Sequence, residues 1–163
     1  MKMGELSRKL SKIDFCMFNT HDPAGQINSR PMSNNGDVEY DGDSWFFSYE
    51  DTKKVQEIVK DSSVTLTFTA PPGILGKPGI FVSVNGQASL IRDRAEFDAH
   101  WTSGLDRWFP QGADTPRVVL IKVSARTLEF WDGEENGKIE LASDAAMRGA
   151  VWQLVELDDP GSR

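Results

Sequence analysis

The sequence predicts a mainly β (α+β) fold, a β-barrel with helices added at its periphery. Three observations carry that expectation. Short segments with strand character recur along the chain, and Ser63–Ala70 alternates cleanly, with Val64, Leu66 and Phe68 on one face. Pro, Gly and Asn-Gly signals separate these segments at short intervals. Helical periodicity is confined to a few brief stretches, so strands dominate. The 163 residues fit a single domain, 1–163, whose last stretch, 151–163, is an acidic tail.

The elements follow in order. A short amphipathic helix is expected over Gly4–Lys12, with Leu6, Leu10 and Ile13 apolar. A strand spans Asp14–Thr20, and His21-Asp22-Pro23-Ala24-Gly25 turns the chain. The next strand runs from Gln26 to Asn34. Pro31 has no backbone donor, so this stretch is an edge, a bulge or a strand break. Asn34-Asn35-Gly36-Asp37 and Tyr40-Asp41-Gly42-Asp43 read as tight turns before an aromatic strand, Ser44–Tyr49. A helix is expected over Thr52–Lys60 with Asp51 as its N-cap. After the Pro/Gly-rich loop Pro71–Gly79, Ile80–Ile91 is a long strand bent at Asn85-Gly86. Asp93-Arg94-Ala95-Glu96 is a capping-box pattern opening a helix through Trp101. A second short helix is read over Ser103–Phe109, ended by Pro110. Val118–Val123 and Arg126–Trp131 are two further strands, Asp132–Gly137 is a turn, and Ser143–Val151 has helical character.

Composition narrows the function. Lys and Arg number 18 against 25 Asp and Glu, a net charge of −7, which argues against a nucleic-acid-binding face. No apolar run approaches the ~18 residues of a membrane span, and the N-terminus lacks a signal-peptide core. No membrane association and a cytoplasmic location are therefore expected. Cys16 is the single cysteine and sits in an apolar run, so it reads as a small buried hydrophobe. One cysteine and two separated histidines give no metal constellation. No nucleophile–base grouping or paired acid and base stands out, so no catalytic side chain is assigned.

One local feature departs from this acidic background. Ser29-Arg30-Pro31-Met32-Ser33 places an arginine in a strand. Trp45-Phe46-Phe47-Ser48 follows at short distance, and then Lys53-Lys54 opens a helical pattern continued by Val55, Ile58 and Val59. Cations on a helix's first turn oppose its dipole by about 0.3–1 kcal/mol each. A bound phosphate reverses that sign, because free backbone N–H groups and ammonium charges converge on it.

These segments resemble the FMN-binding split barrels, the superfamily of pyridoxamine 5'-phosphate oxidase, and within it the general stress protein 26 branch. The resemblance rests on Phe15-Cys16-Met17, Thr20-His21-Asp22, Ser29-Arg30-Pro31-Met32, Trp45-Phe46-Phe47, Lys53-Lys54-Val55, Val82–Gly86, Trp108-Phe109-Pro110 and Glu129-Phe130-Trp131-Asp132. It covers most of the chain to Trp131, and the order and spacing carry more than any single motif. It implies a split β-barrel with peripheral helices and a homodimer with the flavin at its interface. FMN is the implied cofactor, with FAD the other flavin it admits.

The resemblance also implies roles. Arg30 helps hold the flavin phosphate or ribityl chain, its guanidinium offering a bidentate fork. Pro31, Met32 and Ser33 lie along the ring edge. Phe47 and Ser48 match an aromatic–Thr pair beside the flavin. Lys53 and Lys54 match a basic pair on the phosphate, although the family favours arginine at the first position. Trp131 matches a tryptophan reaching the flavin from the other subunit, and Trp108 either caps the flavin or packs a loop. For Phe46 the ordinary core reading is preferred.

Two departures bear on activity. Where the oxidase places a substrate-binding basic residue, this chain has Asn34-Asn35-Gly36-Asp37, and its C-terminal Arg-Leu-His-type motif is replaced by Gly137-Lys138-Ile139-Glu140-Leu141. The expectation is an FMN-binding general stress protein acting as a flavin-dependent oxidoreductase on another substrate. The alternatives are a non-enzymatic flavin carrier or sensor and an apo structural dimer.

Overall fold

The computed structural model describes residues 1–34, 40–71 and 79–141, with the backbone of Gln153–Val155. The elements are α1 (Met3–Leu10), β1 (Phe15–His21), β2 (Ile27–Ser33), β3 (Asp43–Tyr49), α2 (Lys53–Lys60), β4 (Ser63–Thr69), β5 (Ile80–Ile91), α3 (Arg94–His100), β6 (Val118–Asp132), β7 (Glu135–Glu140) and β8 (Gln153–Val155). All pairings are antiparallel, in the order β2-β1-β4-β5-β6-β7-β8, with β3 also paired to β6. The sheet does not close: among the described residues β2 pairs only with β1.

The 15-residue β6 explains that shape. Its first half lies between β5 and β3, and its second half between β5 and β7. One strand thus serves two parts of a split sheet. The sequence divides this stretch into Val118–Val123 and Arg126–Trp131, yet the strand is continuous. The irregularity is a bulge within β6: Asn85 pairs with Thr127 and Gly86 with Ala125, which leaves Arg126 as the extra residue. Asn85-Gly86, where the sequence places a bend, lies opposite that extra residue within an unbroken β5. A Cβ at Gly86 would lie 2.6 Å from the Ser124 carbonyl oxygen, so the close approach requires glycine.

One face of the sheet and helices α1 and α2 enclose the main core, including Leu6, Leu10, Phe18, Phe46, Ile58, Leu66, Phe68, Leu128 and Phe130. Because side chains alternate along β3, Phe46 joins this core while Phe47 faces a second, smaller one with Phe97, Leu105, Phe109, Val118 and Leu120. The excursion between β5 and β6 supplies that second core. Phe47 meets Phe97 and Trp101 there in edge-on contacts.

Several expectations change locally. Asp51 is not the N-cap of α2: Thr52 occupies that position, without a side-chain cap bond, and Asp51 pairs with Arg117 at 3.0 Å. Asp93 does cap α3, accepting from the Ala95 amide at 3.0 Å. The helix read over Ser103–Phe109 is only a 3-10 turn, Ser103–Leu105, because its apolar residues Leu105 and Phe109 pack inward from a compact loop. The turn after β6 is shorter than Asp132–Gly137. Gly133 takes the left-handed conformation, φ 66°, and Glu135, Asn136 and Gly137 already pair in β7. The helical reading of Ser143–Val151 lies wholly outside the described residues, as do Asn35–Asp37 and most of Pro71–Gly79.

Candidate functional site

Sheet order leaves β2 an edge strand. Pro31 is tolerated there because its missing N–H breaks no ladder. Beside this edge lies a cavity of about 370 Å³. Pro31, Met32 and Ser33 of β2 line it, with Phe47, Ser48 and Tyr49 of β3 and Lys54 on the first turn of α2. Leu105, Trp108 and Phe109 come from the excursion, and Phe15 and Thr52 complete the wall. Segments remote in sequence thus converge because β2 borders β1 while β3 crosses to β6.

The chemistry is asymmetric. Most of the wall is aromatic or aliphatic, and Lys54 is its one formal charge among the described residues. Among the described residues Lys54 has no hydrogen-bond or ion-pair partner. Burial pushes its pKa down, and the nearby Arg30 charge pushes it further. An unpaired, half-buried ammonium in a mostly apolar wall is what an anionic group on a large planar ligand requires. A flavin phosphate fits that requirement, and the cavity has the size of small-molecule sites.

Seven of the ten sequence-assigned residues meet at this cavity: Pro31, Met32, Ser33, Phe47, Ser48, Lys54 and Trp108. Met32 also packs against the main core, so its core and wall readings both hold. The Ser48 hydroxyl lies within 3.2 Å of the Tyr49 carbonyl and 3.3 Å of Thr52 Oγ1, which ties it into the turn before α2. Trp108 is 54 % exposed at the rim, and its carbonyl accepts from the Tyr49 hydroxyl at 3.4 Å.

The other three do not line the cavity. Arg30 points to the inner side of β2. Its Nη1 donates to the Phe18 carbonyl at 3.2 Å and to Thr20 Oγ1 at 2.6 Å, and Nη2 lies 3.6 Å from Glu57 Oε1. Burial lowers its pKa, and Glu57 opposes that shift. Lys53 is exposed on the first turn of α2 and does not line the cavity. Trp131 stands on the outer face of β6, three strands from β1, about 14 Å at the usual strand spacing. It is 42 % exposed and directly opposite Phe81, itself 50 % exposed. Phe15 and Met17 are exposed on the same outer face. A hydrogen-bonded row runs beside them: Ser29 to Asn19, Asn19 to the Thr65 carbonyl, Thr65 to Asn85 and Asn85 to Thr127.

Sequence reasoning missed Phe15, Tyr49, Thr52, Leu105 and Phe109 as wall residues. Phe15 and Phe109 stand in motifs that carry the resemblance, but nothing in spacing alone places them beside β3. The histidines are away from the cavity: His100 stacks on Trp45 with ring centres 3.6 Å apart, and His21 lies 3.9 Å from Asp61. No group of metal ligands occurs among the described residues.

An open antiparallel sheet split by one long strand, flanked by few helices, defines a split barrel. The chain belongs to the pyridoxamine 5'-phosphate oxidase-like family, matching it over residues 2–153. It is similar to Protein bli-3 of Neurospora crassa, 24% identical over 159 residues, which cover 91% of this chain and 74% of that protein. Among solved structures it resembles a Clostridium acetobutylicum protein related to general stress protein 26 of B. subtilis. That likeness has a TM-score of 0.71 at 19% identity, covering 85% of this chain and 93% of the other. It also resembles the general stress FMN/FAD binding protein of Xanthomonas citri, with a TM-score of 0.63 at 19% identity, covering 82% and 89%.

Proposed function

We propose that this chain binds FMN in the β2–β3–α2 cavity and works as a flavin-dependent oxidoreductase of the general stress type. The observation that carries the reading is Lys54, an unpaired ammonium lining an otherwise apolar slot. Lys54 takes the phosphate, and Arg30 and the first turn of α2 add donors around it. Met32, Phe47 and Trp108 form the wall for the ring. The X. citri protein, described as binding FMN or FAD, supports a flavin as the ligand class.

When bound, the flavin supplies electron transfer. The protein's part is binding, orientation and exclusion of water. Among the described residues, the ionisable side chains of the wall are Lys54 and Tyr49, with neither a carboxylate nor an imidazole. Pyridoxamine 5'-phosphate is a poor substrate on this reading, since a second phosphate needs basic partners beyond those holding FMN.

The outer face motivates a homodimer. Phe15, Met17, Phe81 and Trp131 expose apolar surface on one sheet face, and the cavity opens beside Phe15, Pro31 and Ser33 of that face. A second copy laid on it covers these residues and brings its own Trp131 toward the site.

Titration of FMN, followed by tryptophan quenching, tests the assignment. Lys54→Ala is expected to weaken FMN by roughly tenfold to a hundredfold, the loss of one charge-assisted contact of about 1.5–3 kcal/mol. Unchanged affinity removes the phosphate assignment.

A further inference from the structure

Glu57 is 4 % exposed, although a glutamate is rarely buried without a partner. It follows Lys54 by three residues on α2, which places the two side chains on neighbouring parts of one helix face. Its Oε2 accepts from Thr20 Oγ1 at 3.3 Å and from Asn28 Nδ2 at 2.9 Å. Its Oε1 accepts no hydrogen bond and faces Arg30 Nη2 at 3.6 Å.

Thr20 completes a ring. A hydroxyl has one hydrogen. Given to Glu57, that hydrogen turns the Thr20 lone pairs toward Arg30, whose Nη1 donates to it at 2.6 Å. Thr20 is fully buried, so water does not replace either partner. Arg30, Thr20 and Glu57 therefore hold one another. The guanidinium Nε makes no hydrogen bond to a described residue, which leaves a donor for a ligand.

We propose that Glu57 and Thr20 are positioning residues for the phosphate end of the flavin site, holding the Arg30 guanidinium beside Lys54. This inference rests on the flavin reading above and adds two residues to it, neither of which lines the cavity. Arg30 and Lys54 repel each other, and a cation on an edge strand is otherwise free to turn into solvent. The Glu57 carboxylate offsets the repulsion, and the ring fixes the orientation. A phosphate then meets a cation pair already assembled, without the ordering cost of gathering it.

A purely architectural ring, tying β1, β2 and α2 together, is distinguishable by which ligands respond. FMN and riboflavin share the ring system, and only FMN carries the phosphate. Both are titrated into the wild-type protein, Thr20→Val and Glu57→Gln. Thr20→Val preserves shape and every charge, so it reports orientation alone. The expected result is FMN weakened about three- to tenfold by Thr20→Val and at least as much by Glu57→Gln, with riboflavin within about twofold of wild type. Equal losses for both ligands, or FMN affinity unchanged or tighter in Thr20→Val, overturn the proposal. Should Glu57→Gln fail to fold, Thr20→Val decides. A wild-type protein that binds FMN no better than riboflavin overturns the phosphate reading itself. A wild-type preference for FMN that survives Thr20→Val removes only the positioning role.

Discussion

Lys54 connects burial to both stability and binding. Its folded pKa lies below its ordinary value, chiefly through burial and then through Arg30. Folding therefore favours the neutral amine. The penalty for burying the charge is fully present at neutral pH and lifts as pH rises through the depressed pKa, so the ligand-free protein gains stability there. FMN binding needs the ammonium, so affinity falls over the same window, below the ordinary lysine value of 10.5. Thermal melts and FMN titrations across alkaline pH are expected to slope in opposite directions. Lys54→Met makes the same point at one pH: the ligand-free protein melts higher while FMN binds at least about tenfold more weakly. Cys16 gives a simpler expectation. Burial pushes its thiol up to about 12, so alkylation at neutral pH should require unfolding, and a thiol reagent consumed at once by the native protein would contradict it. The site was partly legible at this scale. Lys54, Phe47 and Met32 stand in recognisable segments, whereas Glu57 and Thr20 look like ordinary helix and strand residues until the fold buries them together.

At the scale of elements, two glycines hold the split sheet in register. Gly86 sits opposite the β6 bulge, against the Ser124 carbonyl, and Gly137 on β7 lies under the Phe130 ring, where a Cβ would approach within 2.8 Å. Neither neighbour yields easily, because one is backbone and the other is a core phenylalanine 1 % exposed. Gly86→Ala and Gly137→Ala are each expected to cost about 1–3 kcal/mol, the usual range for overpacking, read as a lower denaturant midpoint at constant m-value. A midpoint unchanged in both would show that the sheet relaxes around these positions. Strand and helix identity followed from periodicity for β4, β5, α1 and α2. What periodicity did not reveal was continuity. The sequence leaves Ser124 and Ala125 between two strands, yet both pair with β5, and Ser124 pairs with β3 as well.

For the whole molecule, the exposed row on the outer sheet face sets the expectation of association. Light scattering over a dilution series should give twice the 18.2 kDa chain mass. Trp131→Glu places a charge in the proposed interface and is expected to shift the equilibrium toward monomer and to weaken FMN together. A monomer that still binds FMN tightly would separate the site from the interface.

The sequence by itself determined the class of fold, the order of its main elements, the acidic background and the chemical character of the site: a few cations beside aromatic strands. Those properties are local, written in alternation, punctuation and residue type, and a resemblance over much of the chain joined them. The tertiary structure decided which of the candidates meet. It made Lys54 the charge among the described residues of the cavity wall, turned Arg30 inward onto Thr20 and Glu57, and left Trp131 three strands from β1 on the outer face. It also brought Leu105 and Phe109 against β3 from the excursion after β5. The physical reason is that strand order and pleat direction set these distances and faces, and antiparallel pairing between segments far apart in the chain leaves no local mark in sequence.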